Sequence, residues 1–100
     1  KTEGNMGLLW YNKRKFGNCI IRVIYKTNAS DANSGVFVRI AQKPTDAWYA
    51  VHHGFEIQIA DTGKDAIDGY HSTGAIYSFS KAIIPPPSQP TGQWNTMDVY

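Results

Sequence analysis

The chain has 100 residues, with 10 Lys and Arg against 8 Asp and Glu, a formal net charge of +2. At 11.2 kDa it is at most one small domain, with roughly 5,700 Å² of folded surface against about 16,000 Å² unfolded, which excludes two domains or a barrel enzyme. Lys13-Arg14-Lys15 is the longest basic run, which argues against a nucleic-acid face. No apolar run approaches the ~20 residues of a membrane-spanning helix. With 13% aromatic and 18% charged residues, the composition argues against disorder as well. The single cysteine, Cys19, rules out an intrachain disulfide and a multi-cysteine zinc site, leaves the redox compartment open, and reads as a small buried hydrophobe.

Taken in chain order, periodicity two dominates. Leu8 to Tyr11 is a weak strand candidate. Cys19, Ile21, Val23 and Tyr25 alternate with Ile20, Arg22, Ile24 and Lys26, which predicts a long strand. Ile20 and Ile24 make its second face half apolar, so cover on both sides is expected. Thr27 to Gly35 is dense in side chains that bond to their own backbone and reads as a loop. Val36, Val38 and Ile40 alternate with Phe37 and Arg39 in a second strand. Asp46 to His53 is predicted to form one helical turn at most. Phe55, Ile57 and Ile59 alternate with Glu56, Gln58 and Ala60 in a third strand, followed by turns at Asp61 to Asp65 and Ile67 to Gly69. Ala75 to Phe79 is a short aromatic strand candidate, Pro85 to Gly92 a polyproline-type connection, and Met97 to Tyr100 a last strand. The pattern predicts an all-β domain built as a sandwich.

If the apolar positions of the second and third strands face the core, Arg39, Glu56 and Gln58 face the other way. Glu56 and Gln58 are then roughly 7 Å apart on one face. A forked cation, a carboxylate and an amide beside Phe37 suit a sugar, offering donors, acceptors and a flat apolar plane. The same residues equally describe a solvated sheet face with an Arg39–Glu56 cross-strand pair. His52 and His53 point to opposite sides of an extended segment, and His71 falls in a loop. His53, Glu56, Asp61 and His71 offer a set for a divalent metal, against ordinary loop histidines, because no known ligand spacing is present. Ser, His and Asp occur without an elbow motif to present a nucleophile. Asn28-Ala29-Ser30 fits a glycosylation sequon. Of Trp10, Trp48 and Trp94, one or two are expected in the core.

Asn33-Ser34-Gly35-Val36-Phe37-Val38-Arg39, Gly54-Phe55-Glu56-Ile57-Gln58-Ile59-Ala60-Asp61, Thr73-Gly74-Ala75-Ile76-Tyr77 and Gly92-Gln93-Trp94-Asn95 together resemble the 3-keto-disaccharide hydrolase family. Gly7-Leu8-Leu9-Trp10 and the stretch from Phe16-Gly17 to Tyr25 are similar to that family's early strands. The resemblance implies a concanavalin A-like jelly-roll sandwich, secreted or periplasmic in a bacterium, acting on glycosides oxidised to a ketone at carbon 3. Such domains are nearer twice this length, so residues 1–100 are expected to be one partial sandwich domain, incomplete at both ends. Its exposed strand edges would favour self-association. More faintly, Glu56-Ile57-Gln58-Ile59-Ala60-Asp61 is similar to the Glu-x-Asp-x-x-Glu strand of laminarinase-type retaining glycosidases. That likeness implies Glu56 as nucleophile and Asp61 as acid/base, with a bulge needed to bring both to one face.

The expected function is cleavage of a 3-keto-glycoside on the concave sheet face, with a carbohydrate as partner and neither nucleic acid nor membrane. Glu56 is the expected base and Arg39 the enolate-stabilising cation. Asn33, Phe37, Gln58 and Tyr77 would hold the sugar. His53 or His71 would serve as an acid, or as ligand to a divalent ion, though no cofactor is required. The competing reading is a non-catalytic carbohydrate-binding module on the same sandwich.

Overall fold

A computed structural model describes residues 6–60, 68–83 and 89–100. It is strand-dominated, in keeping with the all-β expectation. The elements in chain order are β1 (Ile21–Tyr25), β2 (Asn33–Val38), α1 (Ala47–His53), β3 (Phe55–Ala60) and β4 (Asn95–Val99). β1 pairs antiparallel with β4, and β2 with β3, in two separate two-stranded sheets. The register sets Val23 opposite Met97 and Ile21 opposite Val99 in the first sheet, and Val36 opposite Ile57 in the second. The alternating apolar residues of both sheets therefore meet in one cluster. Ile57, Ile59 and Met97 are its buried centre, ringed by Val23, Tyr25, Val36, Val38, Ile76 and Val99.

β3 is bonded along both edges. Beyond β2, Gly74 donates to the Gln58 carbonyl, Gln58 to Ala75, and Tyr77 to Glu56, each at 2.9 Å. Ala75 to Phe79 thus runs beside β3, but it forms only isolated bridges at Ile76 rather than a strand. Ser78 adopts φ 59 and turns the chain back, so that Phe79 and Ser80 both donate to the Ile76 carbonyl.

Asp46 to His53 exceeds the single turn expected, because both ends are capped. Asp46 is extended and its Oδ1 accepts from the Tyr49 N–H at 2.9 Å. Gly54 donates back to the Ala50 carbonyl at 3.0 Å. Side chains four apart also meet: the Tyr49 and His53 rings stack with centroids 4.1 Å apart. Ala50 is fully buried, and α1 packs against β3.

Other expectations fail for want of cover. Ile20 and Ile24 are 63% and 62% exposed, so the outer face of β1 is open among the described residues. That face carries a bidentate ion pair in which Arg22 Nε and Nη2 donate to the Asp98 carboxylate at 2.8 Å. The pair raises the Arg22 pKa and holds Asp98 below the usual carboxylate range. Cys19 is exposed rather than buried, because β1 begins two residues after it. Trp48 and Trp94 are exposed too, and Trp10 is half-buried; Trp94 lies under the Lys26 ammonium, 5.1 Å from the ring centre. Leu8 to Tyr11 forms no strand. The accessible surface, 7909 Å², exceeds the roughly 5,700 Å² of a compact chain of this mass. The turn at Asp61 to Asp65 and the Pro85–Pro87 connection lie outside the described residues. No helix among those described is long and apolar enough to cross a membrane.

Candidate functional site

Pairing of β2 with β3 decides which side chains share a face. Phe37 lies opposite Glu56, and Gly35 opposite Gln58. Asn33, Gly35, Phe37, Glu56 and Gln58 therefore ride on the face turned away from the apolar cluster. Gly35 leaves a hole on that face, and the Glu56 side chain lies over it. A Cβ added at Gly35 would meet Glu56 Cγ at 2.5 Å and Cδ at 2.7 Å. Partial burial pushes the Glu56 carboxyl above the ordinary glutamate range, and no cation among the described residues offsets it.

Glu56 opens onto a cleft of about 480 Å³, within the ~300–1,000 Å³ typical of small-ligand sites. Phe37, Phe55, Tyr77 and Phe79 supply aromatic walls, while Val51, His52, His53 and Gly54 close the side made by the end of α1. Phe55 and Phe79 meet edge to face at 5.6 Å. The Tyr77 N–H bond to the Glu56 carbonyl holds that aromatic residue beside the carboxylate.

His53 Nδ1 lies 3.0 Å from the Tyr49 carbonyl. A carbonyl only accepts, so Nδ1 carries the proton and Nε2 keeps its lone pair. The helix thus turns an imidazole with a defined tautomer into the cleft that holds Glu56.

The remaining candidates are placed elsewhere. Arg39 adopts φ 62 just past β2, which breaks the alternation expected to keep it beside Glu56. Its guanidinium donates to Asn18 Oδ1 at 3.0 Å, and it does not line the cleft. Gln58 is 2% exposed; its Nε2 donates to Asn33 Oδ1 at 3.1 Å, and its buried Oε1 has no partner. Gln58 and Asn33 therefore tie β2 to β3 by their side chains instead of lining the cleft. His71 sits outside the cleft with its ring edge on Tyr77, 4.7 Å between centroids. Asp61 lies outside the described residues. Among the described residues no three His, Cys, Asp or Glu side chains are grouped to hold a metal.

His52, Val51, Phe55 and Phe79 also line the cleft; His52 is expected from the sequence to point away from His53 on an extended segment, but both lie in the last turn of helix α1 and reach the cleft together. The signal for His52 and Val51 was the cap at Asp46, which extends the helix to them. Alternation puts Phe55 on the core face, yet it is the first residue of β3 and is exposed.

No curated protein and no solved structure matches the chain. Its sequence does match one family model, described as the 3-keto-alpha-glucoside-1,2-lyase-like domain, over residues 1–100. A glycoside-active or carbohydrate-related domain follows from that match. The chain belongs to the 3-keto-alpha-glucoside-1,2-lyase-like family.

Proposed function

We propose that the cleft cleaves 3-keto-glycosides by elimination, with Glu56 as the base. A ketone at carbon 3 acidifies the C2–H bond. Glu56 takes that proton, the bonding pair forms the C2–C3 enolate, and the enolate then expels the glycosidic oxygen from C1 to leave a C1–C2 double bond. The departing oxygen takes the proton that Glu56 has removed, passed on through the lone pair of His53 Nε2, so that both side chains end as they began. Arg39 directly follows Val38, the residue opposite the cleft-lining Phe55, and its guanidinium is held by the neutral Asn18 amide oxygen. In the proposal the enolate oxygen recruits it. Phe37 and Tyr77 offer ring planes for the sugar faces.

The observation that carries this reading is the environment of Glu56. A carboxylate partly removed from water, with no cation to neutralise it, is a stronger base than one in solution. The family match supplies the substrate class. We further place these strands in a concanavalin A-like sandwich, supported by the meeting of both sheets' inner residues in one cluster. The test is incubation with a native and a 3-keto disaccharide while following binding and product. Release of the aglycone sugar from the 3-keto compound alone is expected. The second reading, a binding module, is favoured by the aromatic walls of the cleft; saturable binding without product would establish it and remove the enzymatic proposal.

A further inference from the structure

Outside the cleft, Asp68, His71 and Ser78 form a linear relay. His71 Nδ1 lies 2.9 and 3.0 Å from the two Asp68 carboxylate oxygens, and His71 Nε2 lies 3.1 Å from Ser78 Oγ. A carboxylate accepts only, so Nδ1 is protonated and Nε2 is left to accept the serine proton. Asp68 is itself fixed: its Oδ1 accepts the backbone N–H groups of Tyr70 and His71 at 2.9 and 3.0 Å. The bond from His71 keeps its carboxyl below the ordinary range, so the acceptor stays ionised.

The second observation concerns the backbone. Ser78 stands at φ 59, in the left-handed region, which among the described residues it shares with one other non-glycine, Arg39. A serine lacks the conformational freedom of glycine, and such strain is characteristic of residues whose side chain must be presented at one angle. The strain is held by Ser78 N donating to the Tyr70 carbonyl and by the Phe79 and Ser80 bonds to Ile76. Ser78 is exposed, and none of these three side chains lines the Glu56 cleft.

We propose that Asp68, His71 and Ser78 make a second, nucleophilic site that takes activated carboxylic esters. Ser78 Oγ adds to the ester carbonyl as its proton passes to His71 Nε2. The acyl C–O bond breaks, and the departing alcohol takes that proton. Water then adds to the acyl-serine, giving its proton to His71 Nε2, and the acyl–Oγ bond breaks with return of the proton to Ser78. The balance is ester plus water to acid plus alcohol. Asp68 acts as a positioning residue that fixes the imidazole tautomer. The N–H groups of Ser78, Phe79 and Ser80 are all used within the turn, so no backbone donor there meets the oxyanion. One missing donor costs about 10²–10³ in rate. The signature of the site is therefore attack on activated electrophiles rather than fast turnover of ordinary esters.

The experiment uses the full chain and a fluorophosphonate, whose P–F bond breaks as the serine O–P bond forms. The expected result is one label per chain, mapped by peptide mass spectrometry to Ser78. Ser78→Gly, which suits the positive φ and keeps the turn, takes no label. His71→Asn slows labelling by about 100-fold or more. In Asp68→Asn the imidazole ¹⁵N shifts move from the Nδ1–H to the Nε2–H pattern as labelling falls, a change that a purely structural role would not produce. Absence of label on the parent chain, or label on another residue, overturns the proposal whatever the variants do. Labelling needs no sugar, so this outcome is independent of the Glu56 reading.

Discussion

Replacing Gly35 with alanine separates the position of the Glu56 carboxylate from the stability of the fold. The added methyl falls 2.5 Å from Glu56 Cγ, and ordinary contact begins at 3.4 Å, so that atom must move by about 0.9 Å. The obstacle is a flexible side chain, not backbone, so the strand can stay in place. Turning Glu56 off its preferred rotamer costs about 0.5–1.5 kcal/mol, while Gly→Ala reduces unfolded-chain freedom and returns about 0.4–1 kcal/mol. The net change in stability is within about 1 kcal/mol, or a Tm shift of no more than ~8 °C for a chain of this size. A base displaced by about 1 Å loses on the order of 100-fold in rate. Gly35→Ala is thus expected to melt near the parent temperature by circular dichroism yet cleave a 3-keto-disaccharide about 100-fold more slowly. Parent-like kcat in the folded variant would refute the claim that Gly35 sets the position of the base.

Two further outcomes follow from burial. The raised pKa of Glu56 means that ionisation disfavours the folded state, so stability declines as pH climbs from about 4.5 through the higher folded value. Glu56→Gln is therefore expected to melt above the parent at pH 7–8 and to match it at pH 3, where the parent's Glu56 carboxyl is protonated in the folded and the unfolded chain alike; thermal melts at both pH values check this. Ile57 is 6% exposed at the centre of the cluster, so Ile57→Ala is expected to cost roughly 2–5 kcal/mol. A urea titration measures that loss.

Alternation alone was enough to place Val36, Val38, Ile57 and Ile59 on one inner face and Glu56 on the other, because period two survives whatever the neighbours do. Strand ends were less legible: Arg39 continues the apolar–polar pattern in sequence, but its positive φ has no glycine or asparagine to announce it. The same silence hid Ser78. Two turns of helix are too short for an apolar stripe, so α1 depended on the Asp46 cap, and with it the entry of His52 and His53 into the cleft. Gln58 read as a sugar ligand because it shares a face with Glu56; only packing shows it buried and bonded to Asn33. Exposure of Ile20, Ile24 and Cys19 follows from which elements cover β1, a long-range matter that local pattern does not encode. Of the stretches that carry the family resemblance, Asn33 to Arg39, Gly54 to Ala60 and Thr73 to Tyr77 lie along β2, β3 and the segment beside it, while Gly92 to Asn95 leads into β4 and the early stretches lead into β1.

The central claim is that Glu56 removes the proton beside the ketone. It is tested most directly by following the C2–H resonance of a 3-keto-disaccharide by NMR in D₂O, with the parent chain and with Glu56→Gln. The account predicts loss of that resonance, by exchange or elimination, with the parent, and a rate lower by about 10²–10⁴-fold with the variant. Equal rates with the two proteins would contradict it.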